Sequence, residues 1–262
     1  MIKQVLTIAG SDSGGGAGIQ ADLKAMSANG TFAMSVITSI TAQNTKDVTA
    51  IHDIPDTIIE AQIDAIFDDF DVAAVKTGML STATTTALVG RKMKQYQVQK
   101  LVVDPVMVSK NGHELLQPSA VNWLKQDLIP LAFLLTPNIP EAERLTGMTI
   151  RTLEETREAA KALYQLGCQH VLIKGGHSLE HPATDLLYDG RFFRMYKGDV
   201  IDTKTTHGTG CTYASAITAQ LALGKPIADA IEAAKTYTTS AILHGLPIGH
   251  GHGPTNHFFF LS

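Results

Sequence analysis

The sequence has very few cysteines, no long hydrophobic run and no block of like charges. Its two cysteines, Cys168 and Cys211, form no CxxC pair, which argues against a disulfide framework or a structural zinc site. No apolar stretch reaches the roughly 18 residues that a membrane-spanning helix needs. The segment 1–16 reaches glycines before it builds a signal-peptide core. With a formal net charge of −4, the sequence predicts a cytoplasmic protein without membrane or nucleic-acid partners.

What the sequence does contain is a regular alternation of short apolar runs and longer amphipathic segments along its 262 residues. The predicted strands are 5–10, 35–41, 73–78, 100–106, 132–138 and 170–176. The predicted helices are 17–28, 56–70, 82–97, 118–128, 139–146, 152–166, 210–224 and 226–245. This alternation predicts a mostly parallel sheet with helices on both faces. Because the sequence contains no linker-like segment or repeat, it predicts a single domain over 1–262.

The segment 186–196 breaks this alternation. Its flanks are rich in residues that favour strands, and its centre is the pair Asp189 and Gly190. Such a pair is typical of tight turns between antiparallel strands, so the segment is predicted to be a β-hairpin with a two-residue loop.

Five of the predicted strands end in polar or glycine-rich loops. These loops read AGSDSGGGAG (9–18), VKTGM (75–79), VDPVM (103–107), TPNIPE (136–141) and IKGGH (173–177). In open parallel sheets, ligands bind beyond the carboxyl ends of the strands. The sequence therefore predicts one crevice that is lined by all five loops.

The first of these loops, at the start of the segment 10–24, combines glycines with the beginning of a helix. Glycines let backbone amides approach a ligand, and a helix N-terminus favours anions. The loop matches the GxGxxG dinucleotide fingerprint only with mismatches and lacks the GK[ST] ending of a Walker loop. A ligand loop and a flexible connection both remain open, with Asp12 as a ligand contact and Asp22 on a solvated helix face.

Two further motifs carry candidate phosphate ligands, and each has a structural alternative. Asn138, followed three residues later by Glu141, is a capping box that opens an amphipathic helix. The carboxylate would also suit a hydrated Mg²⁺ that bridges phosphates, because Mg²⁺ keeps its waters and needs few protein ligands. Lys174 ends a strand, where it would neutralise a phosphate or lie beside a surface turn. The residues alone favour the cap and leave Lys174 open.

The stretch THGTGC (206–211) precedes a segment with helical spacing of apolar residues. Successive amides at a helix N-terminus form an anion hole, and the same position is expected to lower the pKa of Cys211. Cys211 is then either a nucleophile with His207 as its base, or a residue that lines an anion hole beside a substrate hydroxyl. The structural alternative is a helix start with a small buried cysteine.

Histidine is frequent near the C-terminus, at His244, His250, His252 and His257. The stretch HGHG suggests a metal site, but it lies in a glycine- and proline-containing segment without an accompanying carboxylate. The expectation is a loop that closes over the site, or a tail.

Taken together, eight motifs in order resemble the ribokinase-like kinases, and within them the hydroxymethylpyrimidine and phosphomethylpyrimidine kinases of thiamine biosynthesis. The motifs are TIAGSDSGGGAGIQADLK, TAQNT, KTGML, DPVMV, TPNIPEAE, KGGH, THGTGCT and GHGPTNHF. The resemblance extends from end to end and implies an α/β fold, a three-layer αβα sandwich with a mostly parallel central sheet. It also implies ATP as co-substrate, Mg²⁺, a pyrimidine substrate and a homodimer.

The resemblance also implies roles for individual residues. The substrate-binding residues would be Gly10, Asp22, Gln43, Met79 and Val106. Among them, Gln43 would bond the ring edge, since an amide offers both donor and acceptor. The residues that contact ATP, Mg²⁺ or the transferred group would be Asn138, Glu141, Lys174, Gly208, Thr209, Gly210 and Cys211.

At Cys211 the sequence departs from the sugar kinases of the wider superfamily, which carry an aspartate base in a GAGD motif. Cys211 becomes the candidate base, with thiolate character expected from the helix start. The nearest rival is a pyridoxal or pyridoxine kinase, whose cysteine-containing relatives often have a second cysteine after DPVM. The loop here, 108–114, reads VSKNGHE. Rivals from other classes are a thiol hydrolase that uses Cys211 and His207, and a ligand-binding protein without activity.

Overall fold

The computed structural model describes residues 1–109, 112–178 and 180–261, so the predicted loop 108–114 lies partly outside the described residues. One sheet contains nine strands. They are β1 (Gln4–Asp12), β2 (Phe32–Gln43), β3 (Val48–Asp53), β4 (Val72–Thr77), β5 (Leu101–Val103), β6 (Leu134–Leu135), β7 (Val171–Ile173), β8 (Thr184–Tyr188) and β9 (Phe193–Lys197). Their order across the sheet is β3-β2-β1-β4-β5-β6-β7-β8-β9.

The six central strands are parallel: β2, β1, β4, β5, β6 and β7, in their order across the sheet. The strands β3, β8 and β9 pair antiparallel with their neighbours. All six predicted strands are present, and the mostly parallel sheet is confirmed. The additional strand β3 was missed, because its residues are mostly exposed and carry no clear apolar alternation. It extends the sheet beyond β2, next to the loop that contains TAQNT.

Helices cover both faces of the sheet, which gives the predicted three-layer αβα sandwich. One layer contains α1 (Gly18–Ala28), α7 (Thr209–Ala222) and α8 (Ile227–Leu243). The other contains α2 (Asp56–Phe67), α3 (Ala83–Gln95), α4 (Ala120–Trp123), α5 (Ile139–Thr146) and α6 (Leu153–Tyr164). Neighbouring strand residues such as Val5 and Leu6 point into opposite layers, as the pleat requires. The central strands are therefore apolar on both sides.

Two details differ from the prediction. The hairpin at 186–196 exists, but its loop has four residues, 189–192, because the last paired residues are Tyr188 and Phe193. The Asp189 carboxylate accepts hydrogen bonds from the amides of Arg191 and Phe192, which stabilises this longer turn. The predicted helix 118–128 begins as α4 and continues as a π-helical turn, Leu124–Leu128.

Candidate active site

The five loops singled out in the sequence lie side by side. They follow β1, β4, β5, β6 and β7, which are consecutive and parallel in the sheet. Their carboxyl ends therefore meet along one edge of the sheet, which is where the sequence placed the shared crevice. The N-terminus of α7 and the segment 246–257 complete this edge through contacts with the first loop.

At one end of the crevice, Asn138 and Glu141 form the predicted capping box of α5. The Asn138 side chain accepts a hydrogen bond from the Glu141 amide at 2.8 Å, and the Glu141 carboxylate accepts one from the Asn138 amide at 2.8 Å. Unlike most helix-capping carboxylates, Glu141 is only 7% exposed. Burial raises its pKa to about 7, with the charge of Asp104 adding to this effect and that of Lys174 opposing it.

Lys174 is not a surface lysine. Its backbone amide donates to Pro137 O at 2.8 Å, so the strand ends of β6 and β7 are held together. Its Nζ lies 2.6 Å from the Asp104 carboxylate, which also accepts a hydrogen bond from Thr136 Oγ1 at 3.0 Å. Burial opposes the charged form, but Asp104 and Glu141 outweigh it and raise the pKa of Lys174. Lys174 is therefore a fixed cation at this end of the crevice. Asp104, its partner, was not singled out in the sequence.

The start of α7 faces this cation. Gly208 caps the helix in a left-handed conformation with φ of 79°, and a Cβ there would collide with Gly16 O. Thr209 is the first residue of the helix. A Cβ on Gly210 would lie 3.6 Å from Lys174 Nζ. The first amides of α7 and the lysine ammonium therefore converge on the same small region, which is a suitable arrangement for binding an anion.

Cys211 lies in the first turn of α7 and is half-buried. A backbone hydrogen bond from Gly18 connects it to the glycine loop. The expected lowering of its pKa is wrong. Burial raises the pKa of the thiol to about 11; the nearby Lys76 ammonium lowers it only in part, and Asp22 adds to the rise. No hydrogen bond between Cys211 and His207 occurs within the described ranges, so the proposed nucleophile–base pair is not formed.

Beneath Cys211, Asp22 is fully buried, and the expectation of a solvated helix face is wrong. Its carboxylate accepts hydrogen bonds from Thr7 Oγ1 at 2.6 Å and Ser215 Oγ at 2.7 Å. It also pairs with Lys76 Nζ at 2.9 Å, and both side chains of this pair are 0% exposed. Burial works against the charge of Lys76, but the Asp22 carboxylate more than offsets it and raises the pKa of Lys76. Asp22 thus holds a buried cation below the crevice, and Lys76 was missed in the sequence.

The other end of the crevice contains most of the residues expected to bind a pyrimidine. Gly10 packs directly on Met79, since a Cβ on Gly10 would lie 3.2 Å from Met79 Cε. Val106 follows β5 and is half-buried. The side-chain oxygen of Gln43 accepts a hydrogen bond from Thr41 Oγ1 at 3.1 Å. This bond orients the amide of Gln43, whose nitrogen lies 3.5 Å from His207 Nε2.

Asp12 organises the glycine loop. Its carboxylate accepts hydrogen bonds from the amides of Gly14, Gly16 and Ala17 at 2.8–3.0 Å, and His207 Nε2 lies 2.8 Å from the same group. Burial raises the pKa of Asp12, but the bonds from His207 and the amides outweigh it and lower the pKa overall. The loop is therefore a fixed structure rather than a flexible connection.

The histidine-containing C-terminal segment is a strap across this end of the crevice, defined here as residues 246–257. It pairs with His207 through Pro254 and with the TAQNT loop, where the His252 amide donates to Thr45 O at 2.8 Å. His257 bonds Thr212 Oγ1 at 2.9 Å, and burial lowers its pKa to about 4. In the part of the chain that the structure describes, no group of three potential ligands is placed to hold a metal ion. The expectation of a closing loop fits this arrangement.

A three-layer sandwich with an anion-binding helix start, a fixed lysine and a buried carboxylate at one strand edge defines the class of ribokinase-like kinases. The chain belongs to the phosphomethylpyrimidine kinase family, whose model matches residues 12–256.

Among curated proteins, it is 50% identical over 260 residues to the hydroxymethylpyrimidine/phosphomethylpyrimidine kinase of Bacillus subtilis, covering 99% of this chain and 96% of that one. It is 53% identical over 253 residues to the thiamine biosynthesis bifunctional protein ThiED of Geobacter sulfurreducens. That match covers 97% of this chain and 52% of the bifunctional protein, so the chain spans about half of that relative's length.

Among solved structures, the ADP complex of Bacillus subtilis pyridoxal kinase superposes with a TM-score of 0.92 at 41% identity. The match covers 100% of this chain and 99% of that chain. The fold is therefore shared with a kinase that is named for a different ring substrate. In the described part of the chain, no helix is long and apolar enough to cross a membrane.

Proposed function

We propose that the protein transfers the γ-phosphoryl group of ATP to the hydroxymethyl group of 4-amino-5-hydroxymethyl-2-methylpyrimidine, and then phosphorylates the monophosphate to the pyrophosphate. The observation that carries the proposal is the convergence of Lys174 and the start of α7, where a Cβ built on Gly210 would lie 3.6 Å from the lysine ammonium. A phosphoryl group held there would have charge neutralised from two directions. Positioning and charge neutralisation supply most of the acceleration in phosphoryl transfer.

The substrate ring is assigned to the end of the crevice where Gly10 and Met79 are in contact. Gln43 is anchored through its oxygen to Thr41, so its amide nitrogen is free to donate to a ring nitrogen. Val106 and Met79 provide apolar contact for the ring faces. Asp22 contributes indirectly, through Lys76, because its own oxygens are fully buried and already accept three side-chain donors.

ATP is assigned to the other end, with its phosphates between Asn138, Lys174 and Thr209. The site also fits Mg²⁺, because Glu141 is a buried carboxylate close enough to Asp104 for their charges to repel, and a cation would relieve this repulsion. Two carboxylates beside phosphates suit an ion that keeps most of its waters. When bound, Mg²⁺ would neutralise the charge of the phosphate oxygens. Glu141 and Asp104 would hold it, while Lys174 fixes the orientation of Asp104 through their ion pair.

Cys211 remains the candidate base for the first transfer. With a pKa of about 11, only roughly one thiol in 10⁴ is ionised at pH 7, so the thiolate is a minor form. A loose transition state places little demand on a base, which makes a minor thiolate sufficient for a modest contribution. The second transfer starts from a phosphate oxygen that is already anionic. It should therefore depend on Cys211 much less than the first.

A pyridoxal kinase is the second candidate, because a solved pyridoxal kinase shares the fold closely. The loop 108–114, without a second cysteine, and the named curated relatives favour the pyrimidine. A thiol hydrolase is disfavoured, because His207 bonds Asp12 instead of Cys211. A ligand-binding protein without activity is also disfavoured, because such a function does not account for the ion pair of Lys174 and Asp104.

We also propose that the chain forms a single domain over residues 1–262, that two chains form a homodimer, and that the protein is cytoplasmic. Both cysteines are free thiols, which fits a reducing compartment. Support for the dimer comes from the family resemblance. Sedimentation equilibrium with the full chain would test it.

The reaction is tested by ³¹P NMR of products formed with Mg·ATP, with hydroxymethylpyrimidine and pyridoxal in separate tubes. We expect the pyrimidine monophosphate to appear first and its pyrophosphate second. Phosphorylation of pyridoxal alone would contradict the assignment of the ring pocket. Intact ATP in both tubes would contradict the kinase itself.

A further inference from the structure

Two glycine segments that are about 190 residues apart in the sequence cross at the centre of the crevice. The backbone of Gly208 lies against Gly16 O so closely that a Cβ would not fit. The ring of His207 lies against Gly16, where a Cβ would collide with its Cδ2. This crossing joins the loop that borders the substrate ring to the helix start that receives the phosphoryl group.

The crossing is held by one buried pair of side chains. His207 Nε2 lies 2.8 Å from the Asp12 carboxylate, and their side chains are 10% and 2% exposed. Since a carboxylate only accepts, Nε2 carries the hydrogen in this contact. The amide nitrogen of Gln43 is also a donor, so its 3.5 Å approach to His207 Nε2 is a packing contact and not a hydrogen bond.

His207 also anchors the strap through its backbone. Its amide donates to Gly253 O at 3.0 Å, and its carbonyl accepts from the Thr255 amide at 3.4 Å. The strap in turn bonds Thr45, two residues beyond Gln43. One residue therefore connects the glycine loop, the strap and the start of α7.

The geometry points to His207 as a positioning residue for the substrate: through Asp12 and the strap, it fixes the glycine loop and the Gln43 loop relative to the anion hole at the start of α7. Among the described residues, its ring contacts Asp12 and Gln43, and no hydrogen bond joins it to Lys174. Its loss should therefore weaken binding of the pyrimidine more than binding of ATP. This inference rests on the proposed function and adds a residue that determines the shape of its substrate pocket.

Two variants separate this role from general stability. The amide nitrogen of glutamine reaches about as far as Nε2 of histidine, so His207→Gln should keep the bond to Asp12. Asparagine reaches only as far as Nδ1, so His207→Asn should lose it. A matched control is His170→Gln, since His170 also makes a hydrogen bond, to Phe133 O at 2.9 Å, but precedes β7 at the opposite edge of the sheet.

Steady-state kinetics of the full chain are measured with the pyrimidine and with ATP varied separately. For His207→Asn, we expect the KM of the pyrimidine to rise about tenfold or more, while that of ATP stays within about twofold. For His207→Gln, the KM of the pyrimidine should return to within about threefold of wild type. Equal KM values in the two variants, or equal effects on both substrates, would overturn the inference. His170→Gln should leave both KM values unchanged.

Amide hydrogen exchange supplies a readout that does not depend on activity. The amides of Gly14, Gly16 and Ala17 should exchange about tenfold faster in His207→Asn than in wild type or His207→Gln. Unchanged exchange at these amides would overturn the inference even if KM rises. A wild-type enzyme that leaves the pyrimidine unphosphorylated would refute the proposed function. The exchange data would still decide whether His207 fixes the loop.

Discussion

The two ends of the crevice are built in different ways. At the end proposed to bind the ATP phosphates (the phosphate end), the key contacts are close in sequence or follow directly from strand order. Asn138 and Glu141 are three residues apart, and Lys174, after β7, pairs with Asp104, after β5, across the single strand β6. At the end proposed to bind the pyrimidine (the substrate end), the key contacts join segments that are distant in the sequence, such as Asp12 with His207 and Thr45 with His252. The phosphate end is built from local sequence motifs, whereas the substrate end is built from contacts between residues that are far apart in the sequence.

This difference has a functional meaning. A phosphate is the same in every kinase, so its site can be assembled from helix starts, a lysine and a carboxylate on a rigid sheet. The ring substrate differs between relatives of the same fold, and its pocket is enclosed by loops that the fold does not fix by itself. We therefore expect substitutions at the phosphate end to lower kcat and those at the substrate end to raise the KM of the pyrimidine.

The largest effect is expected for Lys174→Met. Removing this fixed cation should lower kcat by about 10²–10³-fold, the usual cost of losing one preorganised group that stabilises transition-state charge. The KM of the pyrimidine should change little, because Lys174 lies at the other end. Both parameters are obtained from steady-state kinetics of each transfer.

The control for this prediction is Lys235→Met. Lys235 pairs with the buried Asp185 at 2.6 Å, and the side chains are 15% and 6% exposed, much as in the pair of Lys174 with Asp104. It should lower the thermal midpoint to a similar degree, since each variant leaves a buried carboxylate without its partner. Its kcat should fall far less. A similar fall in kcat for both variants would mean that lost stability, not charge at the site, explains the effect of Lys174.

The same contrast explains what could be predicted from the sequence. The capping box of Asn138 and Glu141 could be predicted because both partners lie within four residues. The alternation of apolar and amphipathic segments predicted the sheet and the edge at which the loops meet. The pair of Asp12 and His207 could not be predicted, because no local sequence pattern identifies two residues that come into contact only after the chain folds. The buried pair of Asp22 and Lys76 was missed for the same reason, and Asp22 was placed in solvent.

Electrostatic properties were harder to predict than positions. The start of a helix favours a thiolate, which is why a lowered pKa was expected for Cys211. Burial outweighs this preference and raises the pKa to about 11. Burial also distinguishes two capping boxes that look alike in sequence: Glu141 is buried beside Asp104, whereas Glu155, in the capping box of α6, is only half-buried. Sequence spacing identifies a cap, but the surroundings decide whether it also serves a ligand.

A middle-sized effect is expected for Glu141→Gln. Glutamine also serves a capping box, so α5 should persist. Loss of the carboxylate should lower kcat/KM for Mg·ATP by about 10–100-fold, the usual cost of weakening a metal site. The matched control is Glu155→Gln, which alters the second capping box, outside the crevice, and should leave kinetics unchanged. If both variants lowered kcat/KM alike, the role of Glu141 would be structural.

The stability of the same variant should depend on pH in a defined direction. Because folding raises the pKa of Glu141 from 4.5 to about 7, its stabilising contribution is complete below pH 4.5 and is lost as pH rises through 7. Glutamine does not titrate, so the stability of Glu141→Gln relative to wild type should increase between pH 4.5 and 7. The expected increase in the free energy of unfolding is on the order of 1–3 kcal/mol. Urea unfolding at several pH values measures this difference, and a constant difference across the window would contradict the raised pKa.

The smallest effect is expected for Cys211→Ala, at the point where the two ends of the crevice meet. The first transfer should slow by about tenfold, less than the roughly 10²–10⁴-fold that a general base usually supplies, because the loose transition state needs little help. The second transfer should stay within about threefold, since its nucleophile is already a phosphate anion. Single-turnover ³¹P measurements separate the two steps.

The pH dependence sharpens this last prediction. A thiol with a pKa of about 11 gains thiolate about tenfold per pH unit above neutrality, so the Cys211-dependent part of the first transfer should increase between pH 7 and 9. Cys211→Ala should remove that increase, while Cys168→Ala, which alters a buried thiol in the opposite layer, should retain it. If Cys211→Ala kept nearly full kcat in the first step, the base would lie elsewhere. Positioning by Lys174 and the start of α7 would then account for the whole reaction.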